Sequence, residues 1–412
     1  MTKLLINKRY ASDLDLFDVF ILIAFSYNSL MVYFSALFSR LPFINMVGYQ
    51  ILPISVALVT ILCFACGYFS GVKARDVLFL LCFIMVIILS YTLHPETQKY
   101  YTESNMRNIY VEAIPFFMLG LSFRCNLRTM RNLAYISCIA IVINLLYMFF
   151  YVGLTAEDGD YYMGQAYFLL PHVMFVINSI FDESIIKKKS ISIIFSLLGI
   201  FFLVAMGTRG PLLISIVFLL IKSFLQIKKK SIRIKLMFLL LCIALGWLIS
   251  SDVYLMLMTR LTEFLSSFGM STRVIDLLLE NEYLSNTSGR DKIYELLFKK
   301  ILEKPILGYG IFGEEQFGVF AHNIMLEIIV YYGIPLGVII IVTYVTIALK
   351  AYFKSNNKIS KDLILLFMVM TFVHSFFGGS QFSYYFCFLL GLSIKVLRQL
   401  KQAYLENCEG NL

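Results

Sequence analysis

Charge is scarce in this chain. Charged residues make up 15% of its 412 positions and hydrophobic residues 59%, against roughly 25% and 45–50% in soluble domains. That shortage excludes an ordinary water-soluble fold, and no stretch has the composition of an independent soluble domain. There are four histidines. No two stand at i, i+4 and no acidic cluster accompanies them, which excludes the common metal-ligand motifs. Internal repeats and low-complexity tracts are absent. No small-residue cleavage site follows Met1 to Tyr10, so the first hydrophobic run reads as a retained helix rather than a signal peptide.

What is present is a series of apolar runs, many of about 17 residues or more. They predict an all-α polytopic membrane protein with about twelve transmembrane helices, at 16–38, 47–69, 76–93, 109–123, 133–153, 165–181, 190–206, 211–227, 235–250, 322–350, 362–378 and 382–397. The span 322–350 is long and holds Gly333, Pro335 and Gly337, which predicts a tilt or kink. The organisation expected is an N-terminal bundle over 1–250, a long loop over 251–321 and C-terminal helices over 322–412.

Basic residues orient the chain. With the N-terminus inside, the inner loops carry Lys73/Arg75, Arg124/Arg128/Arg131, Lys187/Lys188/Lys189, Lys228/Lys229/Lys230/Arg233/Lys235 and Lys350/Lys354/Lys358/Lys361. The outer segments 39–46, 154–164 and 379–381 have Arg40 as their only basic residue. Both termini are therefore expected in the cytoplasm. The net charge of +9 reflects this bias and is no nucleic-acid footprint. None of the eight cysteines falls in an outer loop pair, so no disulfide is expected. Cys63-x-x-Cys66 lies in an apolar run with no second pair, and packing explains it best.

The outer loop 251–321 is far longer than ordinary connections, and such loops tend to be functional. Tyr254, Leu257/Met258, Leu261, Phe264/Leu265 and Phe268 recur at helical spacing, and so do Ile293, Leu296/Leu297 and Ile301. Both read as amphipathic helices on the membrane or capping the bundle. Ser288-Gly-Arg-Asp291 reads as a capping box opening the second, with Pro305 after its end. Two further outer segments are the tyrosine-rich 94–108 and the turn Gly207-Thr-Arg-Gly210.

Chemistry is expected from residues on that outer side. Arg209 in the tight turn can bind a phosphate bidentately, with flanking glycines allowing close approach; its bland alternative is contact with lipid headgroups. Arg290 at a helix N-terminus suits an anion, against the alternative of an exposed surface arginine. His322 opens the tenth span, and an unperturbed pKa near 6.5 suits a general base, although a lone histidine is more often structural. Asn323 can orient a sugar hydroxyl. Glu327, a carboxylate inside a span, is a functional candidate. Glu112, Arg260 and Arg273 are further candidate substrate contacts, while His94, Arg107, His172 and His374 read as structural or peripheral. Gly308-x-Gly310-x-x-Gly313 has dinucleotide-loop spacing but no βαβ context.

The order Thr208-Arg209-Gly210, Ser288-Gly289-Arg290, Pro305-Ile-Leu-Gly-Tyr-Gly310, His322-Asn323, Gly333 and Gly337 resembles the O-antigen ligase/polymerase family, most clearly over 190–345. The resemblance implies a GT-C-like glycosyltransferase of the inner membrane that needs no cofactor, no metal and no nucleotide sugar. It implies a glycan carried on undecaprenyl diphosphate, and an active site on the outer face formed by Arg209, Arg290 and His322. A Wzy-type polymerase of O-antigen or capsular repeat units is favoured, with a flippase and a chain-length regulator as partners. Arg-x10-Gly motifs of some polymerases are absent from the long loop. A ligase moving the finished chain onto lipid A core remains the alternative. A twelve-span flippase or other transporter is the alternative of another class, disfavoured because such sites lie near the midplane between repeats.

Overall fold

The structure, a computed structural model, describes residues 74–151, 161–228, 230–232, 252–268, 270–280, 289–376 and 378–409, with isolated positions at 58, 61, 62 and 65. The predicted spans 16–38 and 235–250, nearly all of 47–69, the Cys63/Cys66 pair and Ser288 lie outside the described residues.

Among the described residues every regular element is helical. The α-helices are α1 (Ala74–Leu93), α2 (Glu103–Arg107), α3 (Ile114–Ser122), α4 (Leu127–Tyr151), α5 (Tyr161–Ile180), α6 (Lys189–Ala205), α7 (Arg209–Lys228), α8 (Asp252–Ser267), α9 (Arg273–Leu279), α10 (Arg290–Glu303), α11 (Ile324–Lys354), α12 (Lys358–His374) and α13 (Tyr384–Glu409). Leu127–Leu146, Arg209–Lys228 and Ile324–Lys354 are long and apolar enough to cross a membrane. Leu78–Leu93, Gln165–Ile180 and Lys189–Ala205 are apolar but shorter. The expected span 109–123 is a composite, a π-helical turn Asn108–Ala113 running into the short α3. The span expected from 133 begins earlier, at Leu127, because the Asn126 side chain accepts from the Thr129 N–H at 2.7 Å and caps the first turn.

Glycine and proline shape how some of the helices meet. α3 crosses α13 where Gly120 and Gly391 face each other's backbones; a Cβ on Gly391 would lie 2.2 Å from the Phe117 carbonyl oxygen. Pro171 inside α5 has no N–H to give the Tyr167 carbonyl. The Tyr384 hydroxyl of α13 donates to that carbonyl instead, at 3.1 Å. α7 and α12 are joined by the Lys222–Asp362 ion pair, 2.7 Å long and well buried.

α11 is broken, as its composition predicted. Gly333 has φ 76° and ψ 172°, and Pro335 cannot donate to the Tyr331 carbonyl. The freed groups are taken by the segment Pro305–Gly310. Tyr309 N donates to Val330 O at 2.8 Å, Gly310 N to Tyr331 O at 2.9 Å, and Ile334 N to Pro305 O at 2.7 Å. Gly308 and Gly333 touch backbone to backbone, which explains both glycines without any nucleotide. The segment 94–108 closes over this clamp. Lys304 pairs with Glu96 at 2.9 Å, Ser90 Oγ accepts from Ile311 N at 2.7 Å, and the His94 ring fills the space beside Gly310.

Candidate functional site

The helix expected from the Ile293 periodicity is α10, and its start is built differently from the capping box. Gly289 occupies the N-cap in a left-handed conformation with φ 80°, and as a glycine it offers no side-chain cap. Arg290 follows, half-buried, and its charge acts on Tyr294, His322 and His374. One guanidinium thus links the loop helix to two imidazoles far apart in sequence.

His322 is held in strain. Its φ of 50° is left-handed, which is uncommon for a residue with a side chain, and such positions cluster at functional sites. Its carbonyl accepts from the Tyr294 hydroxyl at 3.4 Å, and the Phe320 ring stands edge-on to the imidazole with centroids 4.9 Å apart. Partial burial and then the Arg290 charge hold its pKa below the usual value of 6.5. The ring is therefore neutral at physiological pH, the form a general base needs.

Asn323 and Glu327 each fix an element beside His322. Asn323 Oδ1 accepts from Met325 N at 3.0 Å and Leu326 N at 3.1 Å, so this oxygen caps α11. Glu327 is fully buried and receives Ser380 Oγ at 2.6 Å and Gln381 N at 3.2 Å. Its carboxylate thereby holds the loop between α12 and α13. The Tyr331 hydroxyl donates to Glu314 at 2.7 Å, and burial pushes the Glu314 carboxyl up to about 7.

That loop brings in His374, which the sequence alone marked as structural or peripheral. His374 ends α12, and Gly378 and Gly379 follow with φ 147° and 108°. A Cβ on Gly378 would stand 3.7 Å from His374 Nε2 and 4.0 Å from His322 Nδ1. The His374 ring is sandwiched by Tyr167 and Tyr385, at centroid distances of 4.4 and 5.1 Å. The sequence signal was there: a histidine shortly before Gly-Gly-Ser at the end of an apolar run.

Arg209 is the first residue of α7, not part of a free turn. The glycine before it serves the chain itself: Gly207 has φ 67°, and a Cβ there would stand 2.2 Å from Ser271 Oγ. Arg273 lies in the same contact, with its Cβ 3.7 Å from that point. From the Lys222–Asp362 pair, Arg209 lies about 20 Å along α7 and His374 about 18 Å along α12, at 1.5 Å per residue. Both side chains so reach the same end of the bundle. Glu112 accepts from the Tyr384 backbone in the π-helical turn and joins the cluster beneath Tyr385. Arg260 is exposed on α8.

His172 is buried elsewhere, 3.0 Å from Ser137 Oγ. Among the described residues no group of three His, Cys, Asp or Glu side chains could hold a metal ion.

The matched family model is the one described as O-Antigen ligase, over residues 194–341. The match supports the likeness to O-antigen ligases and polymerases over that stretch of the chain. No curated protein and no solved structure matches the chain. The O-antigen ligase match runs from within α6 into α11. It takes in Arg209, Arg290, His322 and the Pro305–Gly310 clamp. Glu112 and the His374–Gln381 loop lie outside it.

Proposed function

We propose that the chain is a glycosyltransferase that polymerises undecaprenyl-diphosphate-linked repeat units of an O-antigen or capsular polysaccharide. One observation carries the reading: Arg290, a neutral His322 and His374 converge from the long loop and from α12 at one end of the helical bundle. In this reading the protein is GT-C-like, with about twelve spans, in the inner membrane. Its termini are cytoplasmic, and the site end faces outward.

The chemistry is a single inverting displacement without a metal. The acceptor hydroxyl gives its proton to His322. Its oxygen forms the new bond to the anomeric carbon. The bond from that carbon to the phosphate oxygen breaks, and the electron pair leaves on the lipid diphosphate. Arg290 and Arg209 stabilise the charge that develops there, while Arg273 extends the basic surface beside Arg209. Asn323 offers its amide nitrogen to a sugar hydroxyl, and Arg260 meets the glycan farther out. Glu112 and Glu327 act through the elements they hold. A flippase supplies the substrate and a chain-length regulator limits the product.

The family description favours a second reading, transfer of a finished chain onto lipid A core. Purified protein incubated with lipid-linked repeat units separates the two. A ladder of products supports polymerisation. Product formed only when lipid A core is added supports ligation. Lipid-linked glycan carried across vesicle membranes unchanged, with no new bond, overturns both in favour of transport.

A further inference from the structure

We propose that His374 is a second substrate-contacting histidine, which with His322 holds the acceptor hydroxyl over the backbone of Gly378. The proposal rests on the glycosyl-transfer reading above. Gly378 has no side chain, and the point where its Cβ would stand has two described atoms within 4 Å outside its chain neighbours: His374 Nε2 at 3.7 Å and His322 Nδ1 at 4.0 Å. The φ of 147° reserves the position for glycine, so residue 378 puts no side chain between the two rings.

The ring of His374 is fixed in this direction. A Cβ on Gly379 would stand 2.9 Å from both Cε1 and Nδ1, so the imidazole edge lies directly on the Gly379 backbone. Tyr167 and Tyr385 hold the ring from its other sides. His374 is 5% exposed, and its Nδ1 is sealed without a hydrogen-bond partner. A buried N–H without an acceptor costs more than a buried lone pair. The proton therefore belongs on Nε2, which faces the gap as a donor.

A donor and a base on either side of one gap select a particular ligand. A phosphate oxygen only accepts, and an ammonium only donates. A hydroxyl does both: it accepts from His374 Nε2–H and donates to His322 Nδ1. Its second lone pair remains for the anomeric carbon. His374 keeps its proton throughout, while the proton of the acceptor passes to His322. The role of His374 is to aim the attacking oxygen, and misplacement by about 1 Å can cost 10²-fold in rate.

The test compares two His374 variants with the wild-type protein in detergent, using lipid-linked glycan extracted from the host's membranes as substrate. Glycan binding and elongation rate are read separately. His374→Gln places an amide N–H where Nε2 stood and should keep most of the rate. His374→Phe preserves the ring packing without the donor. It should bind glycan normally yet elongate about 10²-fold more slowly. Packing alone would give the reverse order, with Phe active and Gln impaired, and that result overturns the proposal. Equal rates in the two variants overturn it as well. Should His374→Phe fail to fold, His374→Asn replaces it, since its amide sits at the Nδ1 position and cannot reach the gap; an Asn rate equal to that of Gln counts against the proposal. A wild-type protein that makes no product overturns the glycosyl-transfer reading instead, because the variants then have no reaction to alter.

Discussion

At the scale of single residues, Arg290 and His322 are coupled, and the coupling has a measurable sign. Burial and the Arg290 charge both disfavour the imidazolium, so His322 titrates below its usual 6.5. As a general base it works only when neutral. Initial rates between pH 5 and 8 should therefore stay flat near neutrality and fall on the acid side, through an apparent pKa under 6.5. Arg290→Ala removes one cause of the lowering, so the acid limb should move upward in pH while the rate drops by about 10²–10³-fold for loss of one charge-stabilising group. A limb that stays in place would separate the arginine from the histidine. Stability follows the same sign. The folded pKa lies below the unfolded one, so the contribution of His322 is present above 6.5 and is lost as pH falls through that region. Arg209 was legible as a basic residue at a helix–helix junction, and its start of α7 is observed. His374 was marked in the sequence by the Gly-Gly-Ser that follows it, but its meeting with His322 was not legible. Only the fold of α12 back toward the long loop brings it to His322, and no spacing within the chain encodes that meeting.

At the scale of elements, the glycine signature proves to be a backbone clamp. The kink in α11 was readable because Gly333 and Pro335 stand close together in an apolar run. Its partner was not readable, because main-chain hydrogen bonds between Pro305–Gly310 and α11 leave no side-chain pattern in either segment. The periodicity of Ile293, Leu297 and Ile301 gave α10 correctly, since those residues face inward. The capping box failed because a left-handed Gly289 starts the helix in place of a serine. The clamp sets the path from α10 to His322, so damage to it should reach the site. Gly308→Ala demands a left-handed alanine whose Cβ stands 2.5 Å from Gly333 N. It should destabilise the protein by more than about 1 kcal/mol. Thermal unfolding in detergent would register the loss, and the remaining folded fraction should elongate slowly. An unchanged midpoint would show that the clamp yields without cost. Glu327→Gln should be milder, because the amide oxygen still accepts from Gln381 N while the bond from Ser380 weakens.

At the scale of the whole molecule, two sets of contacts mark opposite ends. Arg290, His322, His374 and the 94–108 segment gather at one. At the other, Lys358 pairs with Asp182 at 2.7 Å, Asn357 donates to the Cys125 carbonyl at 3.0 Å, and Arg131 donates to the Ser184 carbonyl at 2.9 Å. The second end also carries Lys187, Lys188 and Lys189 beside Arg124 and Arg128. Membrane proteins retain such basic loops in the cytoplasm, and the proposal that the histidine end faces outward rests on this. The orientation decides whether the chemistry is feasible as proposed, because the glycan must already be outside when it meets His322. It is testable without substrate. In a background with the eight native cysteines replaced by serine, Lys299→Cys on the exposed face of α10 should react with a membrane-impermeant maleimide in cells whose outer barrier is permeabilised. Lys187→Cys, exposed before α6, should react only after the cytoplasmic membrane is opened. Labelling of Lys187→Cys in sealed cells would invert the molecule. The arginines and the two histidines would then face the cytoplasm, and the proposed reaction on exported lipid-linked glycan would lose its substrate.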